Sequence, residues 1–425
     1  MNFQHLSSSN MNTEPLTDKL KDYEYFLLTV IDVLISFLVV APCTVASWRG
    51  LWEYLEHKHE YFPEWIYFLG ASFFHFMFSL FRSELLDFSK NLLKKSKFLY
   101  NVFSRVYIYL FLICCIVQWR CIWNLLDTCL GRDHMTLIMY TVPSLIVLYS
   151  FRLFKNVLAP PYYIEMDYNV EDVFNFGTLW SYPASQNMFL YVMDSFFSVF
   201  VIGSLVVFVW RGLWGLLDIY LYNADSVKSA AASLTMGYTL VFSTFLLQPL
   251  VKRVVSKISG FWRVFIVDVY LLFSLCGTVN VWRGIWATLD CYFETENPKH
   301  KVVGFWLSHI VCFLILVFIN SSNSILVRGV YIDAEEDGGK CVDFPCYYLR
   351  LFFQSKRRKK FLKQLQKKQE VSRRKSEDNH ISCETLVPTS GQQDPLINHI
   401  YLHHKRASII SPSSPTLPRE TNTVV

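Results

Sequence analysis

Hydrophobic positions gather into eight blocks, at 26–47, 64–81, 98–118, 136–158, 188–209, 232–251, 263–281 and 303–322, with polar stretches between them. Each is close to the roughly 20 residues that a helix needs to cross a bilayer core. The second block is the shortest but is dense in aromatic residues, from Trp65 and Tyr67 to Phe76 and Phe78. The pattern predicts an all-α polytopic membrane protein with about eight transmembrane helices. It divides into an N-terminal segment (1–25), a first four-helix half (26–158), a second half (188–330), a juxtamembrane segment (331–370) and a polar tail (371–425). Residues 1–25 are mixed in charge and lack the profile of a cleavable signal, so the first span is expected to act as a signal anchor.

Composition sharpens this picture. The chain is 52% hydrophobic and 18% charged, and its charge is concentrated near the C-terminus, whereas soluble domains carry about 25% charged residues. Basic residues set the orientation. Arg82, Lys90, Lys94, Lys95 and Lys97 follow the second block, and Lys252, Arg253 and Lys257 follow the sixth. Eleven Lys or Arg lie between Lys356 and Lys375. Both termini are therefore expected in the cytoplasm.

A short string recurs four times, each time after an odd-numbered block. It reads Trp48-Arg49-Gly50-Leu51-Trp52, Trp119-Arg120-Cys121-Ile122-Trp123, Trp210-Arg211-Gly212-Leu213-Trp214 and Trp282-Arg283-Gly284-Ile285-Trp286. Each copy is followed by Leu55-Glu56, Leu126-Asp127, Leu217-Asp218 or Leu289-Asp290, and the copies take up eight of the twelve tryptophans. The intervals of 71, 91 and 72 residues describe a two-helix unit doubled twice. Each unit holds an even number of spans, so the copies point the same way through the membrane, as four parallel repeats. On a helix, Trp at i and i+4 with Leu at i+7 line one face. Three readings stay open: an aromatic belt at headgroup level with snorkelling Arg, four corners converging on the pseudo-axis with Arg–carboxylate pairs, or a ring that holds a ligand or ion.

These strings, with the spans before them, resemble the Fuseless family of eight-span membrane proteins over residues 25–330. The resemblance implies a multi-pass plasma-membrane protein of neurons, associated with presynaptic terminals, synaptic transmission and the placing of voltage-gated calcium channels. It implies no catalytic residue and no cofactor.

Asp32, Asp194 and Asp268 lie within odd-numbered blocks, 16, 16 and 14 residues before the motif Trp, and Arg105 stands 14 before Trp119. Charge at membrane depth points to function by default, but at about 1.5 Å per residue these groups lie well away from the motif, towards one interface. Snorkelling or pairing with Arg105 is expected. Cys129 and Cys291 occupy matching places in copies two and four and form a candidate disulfide; Cys341 and Cys346 are candidate palmitoylation sites beside the last span. No metal-ligand cluster, phosphate-binding glycine loop or nucleophile elbow stands out. The chain reads as a non-catalytic organiser that binds membrane proteins and scaffolds, with a transporter or channel for a small solute or ion as the alternative. The basic stretch after the last span suits an anionic membrane surface rather than nucleic acid.

The chain ends Thr423-Val424-Val425. A hydroxyl residue two before a terminal Val suits a PDZ domain, in which the peptide adds a strand and its carboxylate is held by backbone N–H groups. A synthetic peptide of this terminus should bind members of a PDZ panel at about tens of micromolar, and lose that binding when Val425 is deleted. Failure across the panel would remove PDZ scaffolds from the set of partners.

Overall fold

The computed structural model describes residues 14–58, 63–293 and 297–350, with parts of 352–371. Residues to Gln354 form one unit, and those from Ser355 another. The first unit is helical; among its described residues the one β contact is an isolated bridge between Ile164 and Cys346. Its helices are α1 (Glu24–His57), α2 (Glu64–Leu80), α3 (Arg82–Lys95), α4 (Lys97–Cys129), α5 (His134–Ser150), α6 (Met188–Tyr220), α7 (Ser226–Val255), α8 (Gly260–Phe293) and α9 (Lys299–Phe318). Side-chain caps start several of them: Asp133, Asp225 and Asn297 accept from Thr136 N, Lys228 N and Lys299 N at the heads of α5, α7 and α9.

Six helices (α1, α4, α6, α7, α8 and α9) are long and apolar enough to cross a membrane, and α2 with α3 makes a seventh if that pair, bent by 66°, is one span. The eight predicted blocks therefore do not become eight equal spans. The second block ends close to its predicted limit, at Leu80, and the chain turns by 66° into α3 with Arg82 buried at the corner. Its guanidinium donates to Ser79 O at 2.7 Å and stacks on Tyr191 at 4.7 Å. The fourth stops at Ser150, short of its predicted end at 158, where Arg152 turns the chain with φ of 58°.

Helix pairing runs in a cycle. The outer helix α2 packs on α4, α5 on α6, α7 on α8, and α9 closes the circle on α1. Motif glycines mark the closest crossings. A Cβ on Gly50 would stand 2.4 Å from Phe305 O of α9, and one on Gly284 2.6 Å from Leu234 N of α7. In the second copy, where Cys121 replaces the glycine, the crossing helix α2 supplies the small residue, Ala71.

The segments 151–187 and 319–350 return to the bundle and reach into its centre. Each caps the other. Asp333 accepts from the N–H groups of Phe154 (2.5 Å) and Lys155 (2.8 Å), at the head of the 3₁₀ turn Phe154–Val157. Asp167 accepts from those of Ser322 and Asn323, both at 2.8 Å, at the head of the turn Ser322–Ile325. Asp167 N donates to Asn320 O and Asp333 N to Arg152 O. Both acceptors belong to left-handed residues, so the two loops are built alike. Residues 331–350, expected in a juxtamembrane segment, belong instead to this folded second loop. Non-helical backbone at this depth is tolerable because protein surrounds it. In the second unit residues 363–367 are helical, and the polar tail beyond 371, with Thr423 and Val425, lies outside the described residues.

Between the loops lies a cavity of about 420 Å³, lined in part by Lys155, Glu165, Arg328 and Tyr331. Glu165 faces this cavity, and burial pushes its carboxyl up to about 7 although Arg328 pulls the other way. Burial likewise lifts Asp333 to about 6, against the N–H groups of Lys155 and Phe154. A carboxyl raised on folding binds more protons in the folded chain, so stability falls as pH rises. For Glu165 that fall spans about 4.5 to about 7. Thermal unfolding in detergent should therefore show Tm declining across this window in the wild type. Glu165→Gln should flatten the decline and raise Tm at pH 8.

Candidate functional site

The repeated strings lie inside α1, α4, α6 and α8, and their tryptophans converge on one axis. Trp48, Trp119, Trp210 and Trp282 form a closed ring: successive indoles meet edge to face at 5.4–5.7 Å, and Trp282 returns to Trp48. One turn on, Trp52, Trp123, Trp214 and Trp286 form a second ring with spacings of 5.6–5.7 Å. Edge-to-face contact brings the positive rim of one indole to the negative face of the next, worth about 0.5–1.5 kcal/mol beyond burial. Two rings in the same order require four helices running the same way. The belt geometry is therefore not adopted, because the indoles face one another and the first ring is nearly sealed from its surroundings.

The arginines close a second circuit. Arg49 pairs with Asp290 at 2.6 Å, Arg120 with Glu56 at 2.6 Å, Arg211 with Asp127 at 2.5 Å and Arg283 with Asp218 at 2.8 Å. Each arginine takes the carboxylate of the preceding copy, and copy one takes that of copy four. The arginines are only 2–6% exposed, so a missing partner would leave a buried charge. Further acceptors complete some of them: Arg283 also donates to Ser229 and Ser233, and Arg120 also pairs with Glu64.

The first ring is tied to the return loops. The indole N–H groups of Trp48, Trp210 and Trp282 donate to Ile325 O, Val157 O and Pro160 O at 2.8–2.9 Å. All three acceptors lie in the return loops, at the ends of their 3₁₀ turns or just beyond. The sequence carries no local sign of these loops, because their acceptors answer to tryptophans far along the chain. Glu165, Asp167 and Asp333 went unnoticed with them.

The three aspartates do not pair with Arg105, as the sequence led one to expect. Arg105 binds Asp167 at 2.9 Å and Asn320 Oδ1 at 3.1 Å. Asp32 holds the end of the second loop, accepting from Leu349 N (2.5 Å) and from Arg350 N and Nε (both 3.2 Å). Asp194 holds the first loop through Thr178 Oγ1, Trp180 N and Tyr182 N at 2.7–3.1 Å. Asp268 lies within hydrogen-bonding reach of the Asp333 carboxyl, and its oxygens accept from no N–H or alcohol O–H group. The spacing of 16 rather than 14 falls in the two helices that carry a π turn, Ser36–Val40 in α1 and Phe197–Ile202 in α6. The extra residue of such a turn shifts the register of what precedes it.

The cysteines fit their expected chemistry less closely. Cys129 is exposed and Cys291 half-buried, both as free thiols rather than a disulfide. Cys341 and Cys346 are buried in the second loop, where an acylating enzyme has no access to them. Cys346 Sγ points to Pro161 O at 3.3 Å. Among the described residues no cluster of three or more His, Cys, Asp or Glu is placed to hold a metal ion.

A cavity of about 170 Å³ lies within the rings, lined by all eight motif tryptophans with Glu53, Asn156, Leu158, Ala159, Val206 and Val327. A family model described as Fuseless matches residues 27–326. No curated protein and no solved structure matches the chain.

The four pairs differ in burial, and that sets how much each matters. Asp127 is 7% exposed, whereas Asp218 is 50% exposed and its arginine keeps two serine acceptors. Asp127→Asn should cost about 3 kcal/mol as a broken buried pair, and Asp218→Asn about 1 kcal/mol or less. Thermal unfolding of the two purified variants should show the larger drop in Tm for Asp127→Asn.

Proposed function

The chain belongs to the Fuseless family, and on that footing we propose that it is a non-catalytic plasma-membrane organiser that places or clusters voltage-gated calcium channels at presynaptic terminals. Its termini lie in the cytoplasm, as the Lys and Arg of the short loops indicate, and the C-terminus recruits PDZ scaffolds. Channels are engaged within the bilayer, by the outward faces of the helices.

The observation that carries this reading is the narrow axis. Four centroids 5.4–5.7 Å apart around a square stand about 4 Å from its centre, half the diagonal. Indoles that close leave a gap narrower than a hydrated ion. The intramembrane acids support it too: Asp32 and Asp194 are taken up in holding loops. A transporter is the second reading, favoured by a different observation. The ring cavity and the larger loop cavity share Asn156, Leu158 and Val327 as walls, and Asp268 stands without a donor.

In cells expressing a voltage-gated calcium channel, the chain should cluster the channel and co-purify with it in mild detergent. Asp194→Asn should lower folded yield and clustering in step. Proteoliposomes should show no flux specific to the chain. Substrate-coupled flux that Asp268→Asn abolishes at unchanged yield would replace the organiser with a transporter.

A further inference from the structure

The position after the second motif tryptophan differs in every copy: Glu53, Asn124, Gly215 and Ala287. Only the first is a carboxylate, and only Glu53 among the four lines the ring cavity. It receives a hydrogen bond from the side chain of Trp286 and feels Arg49, Asp290 and Glu56 nearby. Arg49 is committed to Asp290 and Arg120 to Glu56 and Glu64. Glu53 forms no ion pair among the described residues, and it is the carboxylate that lines the ring cavity without a place in the arginine circuit.

We propose that the cavity within the tryptophan rings is a binding site for a small methylated ammonium ion, held by the indoles and by Glu53. The chemistry selects this class of ligand. Indole is the best aromatic partner for a cation, and quaternary ammonium groups are the ligands that aromatic cages take. A hard metal ion would require several oxygen ligands, and the side chains lining the cavity offer only those of Glu53 and Asn156. The size fits as well. An apolar cavity of about 150 Å³ holds benzene, and the 170 Å³ here is enough for a trimethylammonium group. A neutral apolar ligand would fill the space but would leave the Glu53 charge uncompensated, which is costly in so apolar a setting. The proposal does not depend on the organiser reading.

Eight of the twelve tryptophans line the cavity, so their fluorescence reports occupancy directly. The full chain in detergent is titrated with choline, with tetramethylammonium and with 3,3-dimethylbutan-1-ol, the uncharged isostere of choline. Both cations should give a saturable change, and the isostere should bind about tenfold more weakly or worse. Glu53→Gln should weaken cation binding by a similar factor and should not weaken binding of the isostere. If that variant does not fold, the comparison of choline with its isostere on the wild-type chain decides the matter. Absence of a saturable change up to about tens of millimolar, or equal binding of the charged and uncharged ligands, overturns the proposal.

Discussion

The edge of one indole against the face of the next is the contact on which the structure depends. In a bilayer, apolar helices gain little by leaving lipid for one another, so association must come from close packing and polar pairing. The motif supplies both. Eight edge-to-face contacts join the four inner helices, and the small residue after each Trp-Arg lets an outer helix approach. The arginine circuit adds register. A guanidinium buried without its carboxylate is expensive, and each one finds its partner only on the preceding copy. An inner helix shifted by one turn would keep a tryptophan in one ring only, leave the other ring a member short and lose its ion pair.

Ring closure then forces the return loops inward. Indole N–H groups buried at the axis need acceptors. The loops bring the carbonyls of Ile325, Val157 and Pro160 to Trp48, Trp210 and Trp282. The loops themselves need caps at that depth, and they use Asp167 and Asp333 to cap each other. Three of the four motif copies are thus served by two loops, so fourfold order at the rings gives way to a lower order below them. The likeness of the two loops is broken in turn. Arg105 and Asp268 occupy equivalent places before their motifs, but the first neutralises Asp167 while the second sets a carboxyl beside Asp333.

The helical class, the membrane setting and the repeated string could be read from the sequence, because apolar length and an eight-tryptophan repeat are strong signals. What the string does in space could not. Arg49 and Glu56 lie seven residues apart on one helix, which says nothing of the fact that Arg49 reaches Asp290 and Glu56 is reached by Arg120. The loops were opaque for a related reason. Nothing local marks them, since what draws them to the axis is hydrogen bonding to tryptophans up to 277 residues away. One signal was available: the spacing of 16 in copies one and three against 14 in two and four marked the helices that carry a π turn.

Duplication also shows where constraint ends. The tryptophans and arginines recur because a ring fails if one member fails, and the carboxylates recur because each serves the next copy. The residue after the second tryptophan serves neither circuit, and there the copies have become Glu53, Asn124, Gly215 and Ala287. Asn124 has joined the pairing network, donating to Glu56 and Glu64. At Gly215 a Cβ would stand 2.5 Å from Arg211 Nη1, so there the packing itself keeps the side chain small. Glu53 alone keeps a charge facing the axis. A symmetric scaffold can hold an asymmetric property only at positions its closure leaves free, and this one lies at the centre of the most tightly constrained part of the molecule.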